Sequence, residues 1–497
     1  MRVLASPRPP ERIPTVELAT DEIGNVDGFA EVDLYQRREK IFTRFVGGFY
    51  QRLRFFTGWP LLTGYFLLPW LQWQGRQAVL FDLPARQFHI FGLTFWPEDL
   101  WLLGWMLIIS AFALFTVTTI VGRLWCGYTC PQTVWTAIFM WIEQRCEGTR
   151  NQRIRLDQAP LSWNKAARRS AKHTLWLGVG LLTGLTFVGY FTPIRELSWA
   201  LLTLNAGGWA LFWVGFFTLA TYINAGWLRE QVCTYMCPYA RFQSAMIDKD
   251  SLVVTYDTNR GEPRRLRSER RRHAHRLAQV PTAGTAAPGD CVDCSLCVQV
   301  CPTGIDIRDG LQYECIGCAH CIDACNQVMA KLDLAQGLIR YSTERALTGG
   351  QTRWLRARSV GYALATAAMG IALLIGIGAR STLSIDLNRE RGALAQTLAD
   401  GTTRNDFTLK ITNKGADTLT LRTAVRSPGH IALTTNALAP LAPRSFAHYE
   451  MTLTAPTQAA SAGVAQPVII EICARSVLRP AASQCVTEET TFFGSRS

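Results

Sequence analysis

Histidine is scarce in this chain, seven in 497 residues, and none falls inside a long apolar run. A membrane-embedded b-haem needs axial histidines, so haem is excluded. Acidic residues are outnumbered, 38 against 51 Lys and Arg, which leaves a formal net charge of +13. The residues before Asp33 lack the apolar core of a cleavable secretory leader. They are polar, Pro-containing and partly acidic, and 1–36 reads as a disordered leader. Charge is missing altogether from several long apolar runs in a chain that is 48% hydrophobic. A single soluble domain is thereby excluded.

The runs 100–121, 174–193, 209–228 and 359–378 each approach the ~20 residues that a bilayer core demands. A shorter run, 59–73, holds Pro60 and Pro69 and reads as a further span or a re-entrant segment. About five transmembrane helices are therefore expected. The connection 122–173 carries Arg123, Arg145, Arg150, Arg153, Arg155, Lys165, Arg168, Arg169 and Lys172, whereas 194–208 carries only Arg195. The positive-inside rule puts 122–173 and 229–358 in the cytoplasm and the chain after Gly378 outside. The Arg-rich linker 258–289, with its run from Arg260 to Arg276, has no interleaved aromatics and follows a span. It reads as a lipid-facing linker and not as a nucleic-acid site. Gly180-x3-Gly184 is a weak helix-packing signal.

Cysteine is present and concentrated. Eight of the fifteen lie in Cys291-x2-Cys294-x2-Cys297-x3-Cys301-Pro302 and Cys315-x2-Cys318-x2-Cys321-x3-Cys325. Two such runs are the spacing of a bacterial two-cluster ferredoxin, in which the fourth cysteine of each run crosses to the other [4Fe–4S] cluster. Cys291, Cys294, Cys297 and Cys325 are then one ligand set, and Cys315, Cys318, Cys321 and Cys301 the other, in a ferredoxin domain over 290–345. Structural zinc also uses paired cysteines, but gives no reason for the x2-x2-x3 series. Disulfides are disfavoured on the reducing side of a membrane.

Two further pairs, Cys126-Gly-Tyr-Thr-Cys130-Pro131 and Cys233-Thr-Tyr-Met-Cys237-Pro238, each follow a span and form an internal repeat. Cysteines four apart share a helix face, and Pro suits the first turn of the next helix. Thiols near a helix N-terminus are expected to have lowered pKa. Four soft sulfurs at the membrane surface suit Cu(I), zinc or iron–sulfur, with Met236 as a further candidate ligand. A single pair would read as packing cysteines; two matching pairs beside a ferredoxin segment do not.

From 381 the texture changes to short alternating runs at 382–387, 407–412, 418–423, 430–434, 446–454, 467–474 and 485–493, separated by turn residues. This pattern predicts an immunoglobulin-like β-sandwich over 381–497. Cys473 and Cys485 read either as a disulfide or as two free buried thiols.

Taken together, the run from Cys233 through Tyr239-Ala-Arg-Phe-Gln-Ser, Asp248-Lys-Asp250, Arg260-Gly-Glu-Pro263, Gly289-Asp-Cys291-Val-Asp-Cys294 and Cys301-Pro-Thr-Gly-Ile-Asp-Ile-Arg308 resembles the cytochrome c oxidase accessory proteins of the CcoG/FixG/RdxA family. The resemblance covers nearly the whole chain from about Asp33. It implies a multi-pass protein of the bacterial inner membrane with two cytoplasmic [4Fe–4S] clusters and a periplasmic β domain. It implies reduction of Cu(II) to Cu(I) for assembly of cbb-type cytochrome c oxidase, with Cys126, Cys130, Cys233 and Cys237 handling copper. Expected partners are the bilayer, copper, a copper transporter or chaperone, oxidase subunits, an unidentified cytoplasmic electron donor, and a second copy of the chain. A quinol-linked electron conduit and a non-enzymatic assembly scaffold are the alternatives. His320 and Asn326 depart from the residues expected at those positions.

Overall fold

The computed structural model describes residues 40–264, 289–390, 395–415, 417–426, 431–435, 438–456, 465–478 and 483–494. The expected leader 1–36, most of the Arg-rich linker and several short segments within 391–497 lie outside the described residues.

Residues 42–494 form one unit with an iron–sulfur-type lobe at one end and a β-sandwich at the other. Five helices run between the two ends. Phe49–Leu67 starts on the cysteine-rich lobe, where the Asp323 carboxylate accepts from the backbone N–H groups of Tyr50 (3.3 Å) and Gln51 (2.9 Å). It therefore caps a helix start that lacks a side-chain cap of its own. Leu100–Val121 returns from the β-sandwich end, and its bounds match the run read from sequence. Trp163–Val188 and Gly208–Thr221, the latter continued by a π-helical turn Tyr222–Leu228, form an antiparallel pair. Gly180 and Gly184 make this packing close: a Cβ on Gly184 would stand 2.6 Å from the Val214 carbonyl oxygen, and one on Gly180 2.9 Å from that of Thr218. Ala357–Gly378 crosses back to the sandwich beside Leu100–Val121, with Thr116 and Thr366 hydroxyls 3.2 Å apart.

Three of these helices are long and apolar enough to span a bilayer: Pro97–Val121, Gly208–Leu228 and Ala357–Gly378. By that measure the expectation of about five spans is corrected to three among the described residues. The physical reasons are local. Trp163–Val188 devotes its first turns to Lys165, Arg168, Arg169 and Lys172, so its apolar part is short. The run 59–73 does not form one helix. It lies in a helix that begins earlier, carries Arg52, Arg54 and Pro60, and gives way to a 3-10 turn Leu68–Trp70 and the strand Gln72–Trp73.

Between the first two helices lies a β-meander that the sequence reading missed, Val79–Asp82, Gln87–Ile90 and Leu93–Phe95. It seats the β-sandwich. Trp96 is buried edge-on against Phe446, and Asp99 accepts from Lys414 Nζ (3.0 Å) and from Arg380. All seven expected strands form, with a short extra one at Gln396–Thr397. One sheet runs in the order Ala432–Thr435, Phe446–Pro456, Thr402–Asn413, Leu383–Arg389; the other is Leu419–Arg426, Ala465–Ser476, Ser483–Phe493. Alternation along Thr402–Asn413 buries Phe407, Leu409 and Ile411 between the sheets. Cys473 and Cys485 are directly opposed across two strands and are joined as a disulfide, not left as buried thiols.

Candidate metal centres

The two ferredoxin-type runs fold by one local rule. Each places residues of left-handed backbone between its cysteines: Asp293 (φ 44°) and Ser295 (φ 54°) in the first, Gly317 (φ 68°) and Ala319 (φ 60°) in the second. Such turns curl the chain so that successive N–H groups face inward, a concavity suited to anionic sulfur. The third cysteine of each run then enters a helix, Leu296–Val300 or His320–Lys331.

The thiols sort into two crossed sets. Cys301, Cys315, Cys318 and Cys321 line one cavity, which Cys297 of the first run also borders; its remaining wall is largely Val254, Ile305, Ile307 and Ile316. Cys325 lies instead beside Cys291 and Cys294: burial, then those two thiols, push its pKa up to about 12. Cys297 is likewise raised to about 12 by burial and feels Cys294 and Cys325. Each set offers four buried or half-buried soft sulfurs, the donor chemistry that a [4Fe–4S] group takes. The residues fit two such groups.

His320 and Asn326 have structural partners. His320 is buried, with Nε2 2.6 Å from both Arg54 Nη1 and Gln51 Oε1 of the first helix. Burial and the Arg54 charge lower its pKa to about 3, so the ring is neutral. The Asn326 side chain accepts from Gly337 N–H (2.9 Å). Strand Val253–Tyr256 pairs antiparallel with Ile339–Ser342, so the lobe begins ahead of the expected boundary at 290.

The repeated pairs converge from opposite parts of the chain. Cys130 and Cys237 each stand at the N-terminus of a helix opened by Pro, Pro131–Glu147 and Pro238–Met246. Cys126, Cys130, Cys233 and Cys237 sense one another's charge, although no three of their sulfurs lie within 4.8 Å among the described residues. For three of these thiols the expected lowered pKa is corrected: burial, reinforced by neighbouring thiols, pushes Cys126 up to about 12 and Cys233 up to about 11, and it raises Cys130 as well. Helix-end N–H groups do not offset that desolvation; deprotonation here needs a bound cation. Met236 is exposed and does not join the set.

The first pair is packed directly on the second ferredoxin loop. A Cβ on Gly127 would stand 2.7 Å from the Gly317 carbonyl oxygen, so no side chain fits between Cys126 and Cys130 at that position. Arg123 Nη1 donates to the carbonyls of Cys315 (3.0 Å) and Tyr313. The Tyr341 hydroxyl donates to Gly317 O (2.6 Å) and lies 3.3 Å from that of Tyr128. Sequence reasoning missed Arg123, Gly127, Gly317 and Tyr341. The only signal available was glycine at corresponding places, one residue after Cys126 and one before Cys318.

A buried ionic network braces the second pair. Glu143 accepts from Arg229 (3.0 Å) and pairs with Arg153 (3.1 Å), and Glu147 pairs with Lys172 (2.7 Å). Burial alone would raise the Glu143 pKa, but Arg229, Arg153 and Lys172 outweigh it and hold it below the usual range.

Comparisons with known proteins agree with this architecture. Residues 228–344 match a 4Fe-4S dicluster domain, 103–146 a 4Fe-4S binding domain, and 373–495 the Ig-like fold at the C-terminus of FixG. The chain is 40% identical over 417 residues to the nitrogen fixation protein FixG of Rhizobium meliloti, covering 76% of this chain and 78% of that one. Protein RdxA of Cereibacter sphaeroides is 37% identical over 406 residues (79% and 83%), and protein RdxB of the same organism 38% over 416 (80% and 84%). With two ferredoxin-type runs, membrane-length helices and a FixG-type β domain in one order, this chain belongs to the CcoG/FixG/RdxA family of membrane-bound, ferredoxin-like redox proteins.

Proposed function

We propose that this protein reduces Cu(II) to Cu(I) at the membrane surface for assembly of a cbb-type cytochrome c oxidase. The observation that carries the proposal is the direct packing of the Cys126–Cys130 loop against the Cys315–Cys318 loop through Gly127 and Gly317. Two [4Fe–4S] groups, held by Cys291, Cys294, Cys297 and Cys325 and by Cys315, Cys318, Cys321 and Cys301, would supply one-electron transfer. Cys126, Cys130, Cys233 and Cys237 meet the copper substrate. Their soft sulfurs favour Cu(I) over Cu(II) and so favour the reduced product. Burial keeps Cys126, Cys130 and Cys233 protonated until a cation arrives, which couples copper capture to proton release.

Orientation follows from charge. The basic connections 122–173 and 229–358 face the cytoplasm under the positive-inside rule. The β-sandwich, with its Cys473–Cys485 disulfide, then lies in the oxidising periplasm. This orientation requires Phe49–Leu67 and Trp163–Val188 to cross as well, although each falls short of the length and apolarity that the three spans reach. Copper leaves to a transporter or chaperone and then to oxidase subunits; a cytoplasmic donor supplies electrons, and two copies of the chain associate.

The test uses anaerobically purified, chemically reduced protein mixed with Cu(II). Reoxidation is followed by EPR, and Cu(I) with a colorimetric chelator. One Cu(I) formed per electron lost, abolished in Cys126→Ser/Cys233→Ser, is the expected result. Loss of that stoichiometry removes the reading; reoxidation by quinone alone would favour an electron conduit, and by neither acceptor an assembly scaffold.

A further inference from the structure

The ferredoxin-type lobe has two thiol sets, and they are not equivalent with respect to the membrane edge. The second loop, Cys315 to Cys321, makes the close approach to the first cysteine pair: Gly127 packs against Gly317 and Arg123 donates to Cys315 O, while Tyr341, which holds Gly317 O, lies against Tyr128. The first loop faces elsewhere. Its neighbourhood is the charged rim made by Arg260 with Asp290 (2.6 Å) and Arg308 with Asp293 (2.5 Å) and Asp306 (2.6 Å).

The junction is built tightly. Gly317 has φ of +68°, and a Cβ there would meet Arg123 backbone atoms at 3.2 Å. Gly127 faces the same constraint from the other side. Tyr128 is buried between the paired cysteines, with its hydroxyl turned to Tyr341. Backbone from one metal-binding loop thus touches backbone from the other with no side chain interposed, and one phenol fixes the separation.

We propose that the Gly127–Gly317 junction is where electrons leave the ferredoxin lobe for the membrane-edge thiols, that the set Cys301, Cys315, Cys318 and Cys321 is the exit side, and that Tyr341 is its positioning residue. The set Cys291, Cys294, Cys297 and Cys325, with its charged rim, is then the entry side for a soluble donor. The inference rests on the copper-reductase reading. The step is one electron passed to Cu(II), giving Cu(I) and an oxidised lobe; no bond is made and no proton moves between the two loops. Tyr341 holds the Gly317 carbonyl in place and does not itself change redox state.

The experiment compares full-length protein with Tyr341→Phe and Gly127→Ala. Each is reduced with dithionite, freed of excess, and mixed rapidly either with Cu(II) or with ferricyanide, which takes electrons at the solvent-facing rim. Outer hydrogen bonds to metal loops are worth about 10- to 100-fold, and Cu(II)-driven reoxidation is expected to slow by that factor in Tyr341→Phe. Gly127→Ala, which forces the two backbones apart, is expected to slow it at least as much. Iron content, midpoint potentials and the ferricyanide rate are expected to stay at the full-length values. Unchanged copper rates in both variants overturn the proposal, as does equal slowing with ferricyanide. If Gly127→Ala does not fold, Tyr341→Phe decides alone. If unsubstituted protein gives ferricyanide its electrons and Cu(II) none, the functional reading fails, and the junction's role in it fails with it.

Discussion

Replacing Glu143 with Gln tests whether the buried ionic network around it organises the second cysteine pair. Glu143 is 2% exposed and serves two guanidiniums, Arg153 at 3.1 Å and Arg229 at 3.0 Å. Glutamine preserves the shape and one acceptor but leaves both cations without their shared counter-charge. Removing one partner of a buried ion pair costs about 3–5 kcal/mol because the other is stranded in low dielectric. Arg229 connects this cost to function: it donates to Gly226 O (2.9 Å) and lies over the Trp176 ring, four residues ahead of Cys233. If the loss is local, opening of 222–236 rises by about 10²- to 4 × 10³-fold, at tenfold per 1.4 kcal/mol. Hydrogen exchange by mass spectrometry on detergent-solubilised protein reads this directly. Arg153→Gln and Arg229→Gln are expected to open the segment less, since Glu143 keeps one partner in each. Unchanged exchange across 222–236 in Glu143→Gln, or a larger effect from either arginine variant, would refute the reasoning.

Asp250 is held down to about pKa 2, chiefly by the Arg345 guanidinium at 2.7 and 2.9 Å with help from Arg353 N–H (3.1 Å). Its contribution is present above the unfolded value near 3.9 and lost as pH falls toward 2; protection of 344–356 in pH-stepped hydrogen exchange should fade over that window, and Asp250→Asn should remove both the protection and its pH dependence. Cys473→Ser/Cys485→Ser opens a sequence separation of 12 and is expected to cost the β-sandwich about 3 kcal/mol, seen as a lower midpoint in its thermal unfolding. Stripping iron with a chelator, roughly eight ions per chain when fully loaded, should release 289–331 to fast exchange while the β-sandwich keeps its protection.

The parts legible in sequence were those with a strict local code. Cysteine spacing pointed to two ferredoxin-type runs, and the left-handed residues between the cysteines curl each run as that spacing implies. Alternating apolarity gave every strand of the sandwich except the short Gln396–Thr397. Hydropathy gave Leu100–Val121 to the residue, but it misplaced the first helix, whose beginning is set by Asp323, 272 positions beyond Gln51, and not by its own composition. The meander around Val79–Asp82 was lost beside longer apolar runs, being short strands under a hydrophobic average. The junction of Gly127 with Gly317 was invisible for the same reason as Asp323: it is a contact between distant segments, recorded locally only by two glycines. Thiol acidity was misjudged because helix ends are readable in sequence and burial is not.

The pairing of Val253–Tyr256 with Ile339–Ser342 has a mechanical meaning. It staples together the two chain ends of the iron–sulfur lobe where they emerge from Gly208–Leu228 and re-enter Ala357–Gly378. Asp323 and His320 add a third anchor on Phe49–Leu67. A lobe fastened at three points is a fixed terminal and not a swinging arm. Its reach does not vary, so whatever exchanges electrons with it must come to a stationary contact.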